Sequence, residues 1–339
     1  MKKKAVIICL LATSLFIAAF HSKTEPLWHT PAGWPQPVYV FKTNPLRKES
    51  IYLGRILFHD PILSRDYTIS CASCHLPQTA FTHVDHSLSH GIEGRIGMRN
   101  SPALMNLAWS RYFMWDGAVN HLEVQPLAPI SNHDEMDDNL AHVVEKLNQS
   151  KPYRSLFKAA YGDSLVTGQR TLKAISQFML SLVSCTSKYD QVKAGKASFS
   201  PLEAQGYLLF KRSCSSCHTE PLFTNGGFEN NGLALDTNLK DLGRMKITHR
   251  SSDSLKFKVP SLRNIEVSYP YMHDGRFRNL AMVLFHYSDG IIQSPTLSPV
   301  LKNKLPLNEA DKNALIAFLK TLTDEAFLHN PEYGYHKTE

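Results

Sequence analysis

Two Cys-x-x-Cys-His motifs, Cys71-Ala72-Ser73-Cys74-His75 and Cys214-Ser215-Ser216-Cys217-His218, set what this chain can fold around. Each is the attachment signature of a c-type haem: two thiols bond to the porphyrin vinyl groups, and the adjacent histidine becomes the proximal iron ligand. Two intervening residues let both sulfurs reach one edge of the ring while the next residue turns under the iron. With 6 Cys and 16 His in 339 residues, chance supplies roughly 0.005 such matches. A structural zinc site is the alternative, but histidine directly after each second cysteine departs from zinc-finger spacing. Two covalently bound haem c groups are expected, held by Cys71, Cys74 and His75 and by Cys214, Cys217 and His218.

The length suggests two domains, each large enough for its own core. Residues 1–22 read as an export signal: Lys2, Lys3 and Lys4 precede an apolar stretch of 16 residues, Ala5 to Phe20. That stretch is short for a spanning helix, although a retained N-terminal anchor stays open. Removing residues 1–22 lowers the net charge from +7 to +4, which does not argue for a nucleic-acid partner. Export fits a periplasmic location, where haem c is attached. Of the cysteines outside the motifs, Cys9 falls in the signal and Cys185 stands alone, read as a small buried residue on a helix.

The pattern is mostly α, with long irregular loops and no convincing strand. Residues 23–45 look like an extended arm. Helices are expected over Leu46–Phe58, Asp137–Asn148 and Thr171–Ser187 from their apolar spacing. Lys193–Ser198 reads as a linker, and Ser200-Pro201-Leu202-Glu203 as a capping box opening the next helix. The chain also repeats itself. Gly54 to Phe58 precedes the first motif and Gly206 to Phe210 the second. Pro102, Leu104, Asn106, Trp115 and Leu122 recur in order and spacing as Pro260, Leu262, Asn264, His273 and Leu280. We read two cytochrome c-like haem domains related by an internal repeat, residues 46–192 and 193–330.

The repeat makes the two irons unlike. Tyr287 lies 14 residues after His273, and the matching position after Trp115 is Pro129. If Tyr287 closes the second iron, the first faces a proline, which cannot ligate, and stays open. His286 and Met282 remain rival ligands, and Tyr287 also reads as an ordinary helix tyrosine. His83, His86 and His90 sit where any of them can swing onto the first haem; singly, each reads as a loop histidine.

Arg99-Asn100-Ser101-Pro102, Phe113-Met114-Trp115-Asp116-Gly117, Glu123-x-Gln125, Glu135-Met136, Pro260-Ser261-Leu262-Arg263-Asn264 and Pro270-Tyr271-Met272-His273-Asp274-Gly275 accompany the haem motifs. Together they resemble the bacterial di-haem cytochrome c peroxidase family, which includes MauG-type enzymes, over about residues 45–325. The resemblance implies that the first haem reacts with hydrogen peroxide and the second transfers electrons. It implies Gln125 and Glu135 as the distal pair, one orienting peroxide and the other shuttling its proton. Without it, Glu135 reads as a solvated helix N-terminus. It further implies Trp115 as an electron relay, and a calcium ion held by Asn100 and the carbonyls of Ser268 and Pro270. A small cytochrome c or cupredoxin is the implied donor; a homodimer is left open. There are two departures. One branch carries methionine where this chain has Tyr287, and MauG-type members carry tyrosine. The mobile distal histidine of the family aligns near Ile92, so the first haem is expected to be open without reductive activation. The expected activity is peroxide reduction to water; a MauG-type oxidase acting on a partner protein and a plain electron carrier are the alternatives.

Overall fold

The computed structural model describes residues 27–335, so the expected signal at 1–22 lies outside the described residues. Among the described residues no helix is long and apolar enough to cross a membrane. The fold is built from helices. The first half carries α1 (Lys48–His59), α2 (Cys71–Cys74), α3 (Leu127–Ser131), α4 (Leu140–Gln149), α5 (Lys151–Tyr161) and α6 (Gly168–Ser181). The second carries α7 (Lys188–Lys193), α8 (Pro201–Ser213), α9 (Met245–Thr248), α10 (Leu280–Phe285), α11 (Glu309–Lys320) and α12 (Glu325–Leu328). The described strands, β1 (Phe228–Glu229) and β2 (Phe257–Lys258), form one antiparallel pair.

Each half is organised on a crossing pair of helices. In the first, Leu53, Leu57 and Phe58 of α1 bury against Ile175, Phe178 and Met179 of α6. In the second, Leu209 and Phe210 of α8 bury against Ala314, Leu315 and Phe318 of α11. A glycine permits each crossing. A Cβ on Gly54 would collide with the carbonyl of Ala174, and one on Gly206 with that of Ala314. Other features are paired in the same way. Asn106 and Asn264 both take left-handed φ, near 57° and 56°, as do Met114 and Met272. Phe113 bridges Val119 as Tyr271 bridges Phe277.

Ser200 and Glu203 form the expected capping box at the start of α8. Helix boundaries shift by one to six residues from expectation, and two of the shifts matter. The helix foreseen over Asp137–Asn148 starts at Leu140, because Asn139 caps it and Asp138 turns inward to Lys146 at 2.7 Å. The one foreseen over Thr171–Ser187 stops at Ser181, so Cys185 lies on the irregular link to α7 rather than on a helix. The arm is tied down by its aromatics: Trp28, Trp34, Tyr39 and Phe41 cover the first core, and Trp109 donates to Pro35 O at 2.7 Å. At the other end the chain crosses back, burying Phe327 and Leu328 in the first core.

Candidate functional site

One continuous cavity of about 730 Å3 runs between the halves and reaches both Cys-x-x-Cys-His motifs. His75 caps α2, its backbone N–H donating to Cys71 O at 3.0 Å. Its ring Nδ1 meets Phe81 O at 2.7 Å, and Nδ1 of His218 meets Phe223 O at 3.0 Å. A nitrogen facing a carbonyl must carry the proton, so in both rings Nε2 is the bare nitrogen. Burial pushes His75 down to about 4 and lowers His218 as well, so both stay neutral. All the described cysteines are free, and burial raises the Cys71 and Cys214 thiols to about 12. Thioether formation removes those ionisable protons altogether. Among the described residues no group of three or more His, Cys, Asp or Glu gathers to hold a metal ion. Buried neutral imidazoles with a bare Nε2, beside paired thiols on the wall of one large cavity, fit two covalent haem groups.

On the first-motif side, Gln125, Pro129 and Glu135 line the cavity. Pro129 sits in α3, and Glu135 on the turn that follows, its backbone carbonyl held by Ile92 N–H at 2.8 Å. Gly91 lies so close that a Cβ there would strike the backbone of Glu135. Burial raises the Glu135 carboxyl above its ordinary value despite a 2.8 Å bond from Asn132 Nδ2. It sits half-buried on a turn rather than at a helix N-terminus. Gln125 Nε2 reaches Met114 Sδ at 3.7 Å. His83, His86 and His90 do not line the cavity. They stack on one another, with ring centroids 3.8 and 3.6 Å apart. Ile92 is wholly buried.

On the second-motif side, Tyr287 lines the cavity and its rivals do not. Met282 is exposed, and His286 turns its Nε2 to Asn231 O at 3.0 Å. Tyr287 was foreseen on the helix of Leu280, but α10 ends at Phe285 and residues 286–290 form a π-helical turn, a device frequent at functional sites. Burial raises the Tyr287 phenol to about 12, with Cys214 and Cys217 adding to the rise.

Where the halves meet, Trp115 Nε1 donates to Asn100 O at 2.8 Å, and Trp115 O accepts from Lys258 N–H at 2.7 Å. Asn100 is buried, its amide 2.5 Å from Pro270 O, with Ser268 on the same wall. Here the Asn100 Nδ2 donates to the Pro270 carbonyl, so a cation at this point would need the amide turned to offer its Oδ1. Sequence reasoning missed the ion pairs behind Trp115. Arg99 joins Asp116 and Asp241, both at 2.6 Å, and the Arg99 guanidinium, by hydrogen bond and charge, holds Asp241 at about 2 against its burial. It also missed Asn231, beside Tyr287 and His286, and Lys258, whose only signal is its place two residues before Pro260.

The signature of the di-haem cytochrome c peroxidases matches residues 48–198. Methylamine utilization protein MauG of Methylorubrum extorquens is 36% identical over 87% of this chain and 83% of its own length. Cytochrome c551 peroxidase of Nitrosomonas europaea is 34% identical over 86% of this chain and 85% of its own. The crystal structure of a MauG-like protein associated with microbial copper homeostasis superposes with a TM-score of 0.80 at 33% identity, covering 91% of this chain and 98% of that one. The diheme peroxidase BthA from Burkholderia thailandensis shares the fold, with a TM-score of 0.73 at 22% identity, over 87% of this chain and 92% of that one.

Proposed function

Because the chain belongs to the di-haem cytochrome c peroxidase family, we propose that it is an exported enzyme reducing hydrogen peroxide to water. Two electrons and two protons convert one peroxide into two waters, and the electrons come one at a time from a small cytochrome c or cupredoxin. The haem groups, held by Cys71, Cys74 and His75 and by Cys214, Cys217 and His218, supply redox-active iron.

The observation that carries this reading is the stretch of cavity wall that His75 shares with Gln125, Pro129 and Glu135. A carboxyl whose affinity for protons is raised by burial and an amide stand beside a proline that cannot ligate. Glu135 takes a proton from one peroxide oxygen and returns it to the other, and Gln125 holds the peroxide in place. Proline at position 129 keeps that wall free of a competing ligand. On the second side, Tyr287 is the proposed distal iron ligand. Its place in the cavity, and the turning away of His286 and Met282, support it. Trp115, bonded to both halves, is the proposed relay. The paired glycine crossings and left-handed asparagines support reading residues 46–192 and 193–330 as two copies of one haem unit. Asn100, Ser268 and Pro270 are proposed to hold calcium.

Tyr287 favours a second reading, a MauG-type oxidase that draws electrons from side chains of a partner protein. Phenolate stabilises oxidised iron and lowers the potential of the second haem, which opposes electron uptake from a high-potential donor. Steady-state turnover of peroxide with reduced cytochrome c or cupredoxin decides between them. Turnover supports the peroxidase; none, with peroxide still bleaching the resting spectrum, overturns it in favour of the oxidase. Two six-coordinate irons inert to peroxide identify an electron carrier instead.

A further inference from the structure

Lys258 closes β2 and lines the shared cavity, half-buried. Burial alone pushes its ammonium down to about 8, and no charged neighbour contributes. Other cations on the same wall are provided for. Arg99 meets Asp116 and Asp241, Lys246 meets Asp241 at 3.4 Å, and Arg111 lies exposed at the rim. Glu229 lines the cavity from the neighbouring strand, yet it leaves the Lys258 ammonium unshifted. An ammonium turned into an interior without an anion is costly, so such groups are paired when the protein is complete.

The position says which anion. Lys258 lies two residues before Pro260, whose carbonyl approaches the ring of His218. Its N–H is fixed on the carbonyl of Trp115 at 2.7 Å. Its counterpart in the first half is Asn100, two residues before Pro102, whose carbonyl approaches His75. Cys214, Cys217 and Lys258 line the same cavity, so a haem c bonded at those thiols would bring its two propionate carboxylates to the cavity that Lys258 lines. We infer that Lys258 is the counter-ion of a propionate on the haem of the second motif. This rests on the two-haem reading. A fixed positive charge there favours the reduced iron, which carries one positive charge less, and so raises that haem's potential.

The test is a spectroelectrochemical titration of the holoenzyme after counting haems per chain as the pyridine haemochrome. In Lys258→Met the midpoint potential of one haem is expected to fall while the other stays, and Lys258→Arg is expected to keep both. The unsubstituted enzyme gives a second answer should Lys258→Met fail to take up haem. An unpaired Lys258 would lose its proton near pH 8 and put a step in that potential, whereas a paired one gives none there. Two haems with both potentials unmoved in Lys258→Met overturns the inference. So does a step near pH 8 in the unsubstituted enzyme that Lys258→Arg displaces upward. Fewer than two haems in the unsubstituted enzyme sinks the cofactor reading instead.

Discussion

Glu135 and Tyr287 carry the proposed asymmetry between the two haem sites, and each gives a prediction. The Glu135 carboxyl is raised above 4.5 by burial. As the base that accepts the peroxide proton it works only when ionised. In the proposed role, the rate of reaction with peroxide is therefore expected to fall on acidification at a higher pH than an ordinary carboxylate would give. Glu135→Gln should slow that reaction by about 10²-fold or more, the usual scale for losing a general acid–base, and abolish the acid limb. Stopped-flow kinetics across pH reads both, and an unaltered profile refutes the role. At Tyr287 the expected substitution is Tyr287→Phe, which keeps the ring and removes only the oxygen. The midpoint potential of one haem should rise, because phenolate no longer stabilises its oxidised iron. Potentials identical to the unsubstituted enzyme would leave Tyr287 as a wall residue.

The paired crossings of α1 with α6 and α8 with α11 set helix propensity against packing. Alanine for glycine in a helix gains about 1 kcal/mol in isolation. Here the added Cβ meets a backbone carbonyl that cannot rotate away, and overpacking costs about 1–3 kcal/mol. Gly54→Ala and Gly206→Ala should each lower the thermal midpoint of the holoprotein; a rise in calorimetry would show that the crossings are loose. Both glycines were legible in the sequence as repeated words, as were the helices and the capping box at Ser200. Boundaries were less so. Asp138 looks like an exposed acidic helix start until Lys146 is seen buried against it. The π-helical turn was invisible, because α-helical and π-helical spacing share residue types and differ only in where a side chain points. Tyr287 was identified by counting along the repeat, yet only geometry separates it from His286, its immediate neighbour. Lys258 escaped because a single lysine acquires meaning only from what surrounds it.

Across the whole molecule the halves are joined by a charged seam and share one interior. Asp241, held at about 2 by the Arg99 guanidinium, contributes stability that is fully present above its ordinary 3.8 and is lost as pH falls through 2. Asp241→Asn should therefore flatten the acid end of the stability curve. It should cost about 2 kcal/mol, below the 3–5 of a stranded buried charge, because Asp116 still pairs Arg99. Denaturant titrations at pH 7 and pH 3 measure both effects, and equal losses at the two values would contradict the assignment. The shared cavity bears on how the two motifs can fail. Its wall is drawn from both halves, from Cys74 and His75 to Cys214 and His218, so neither half alone completes it. A change that loosens the seam at Arg99 therefore reaches both motifs at once, and the two sites are expected to be disturbed together rather than one at a time.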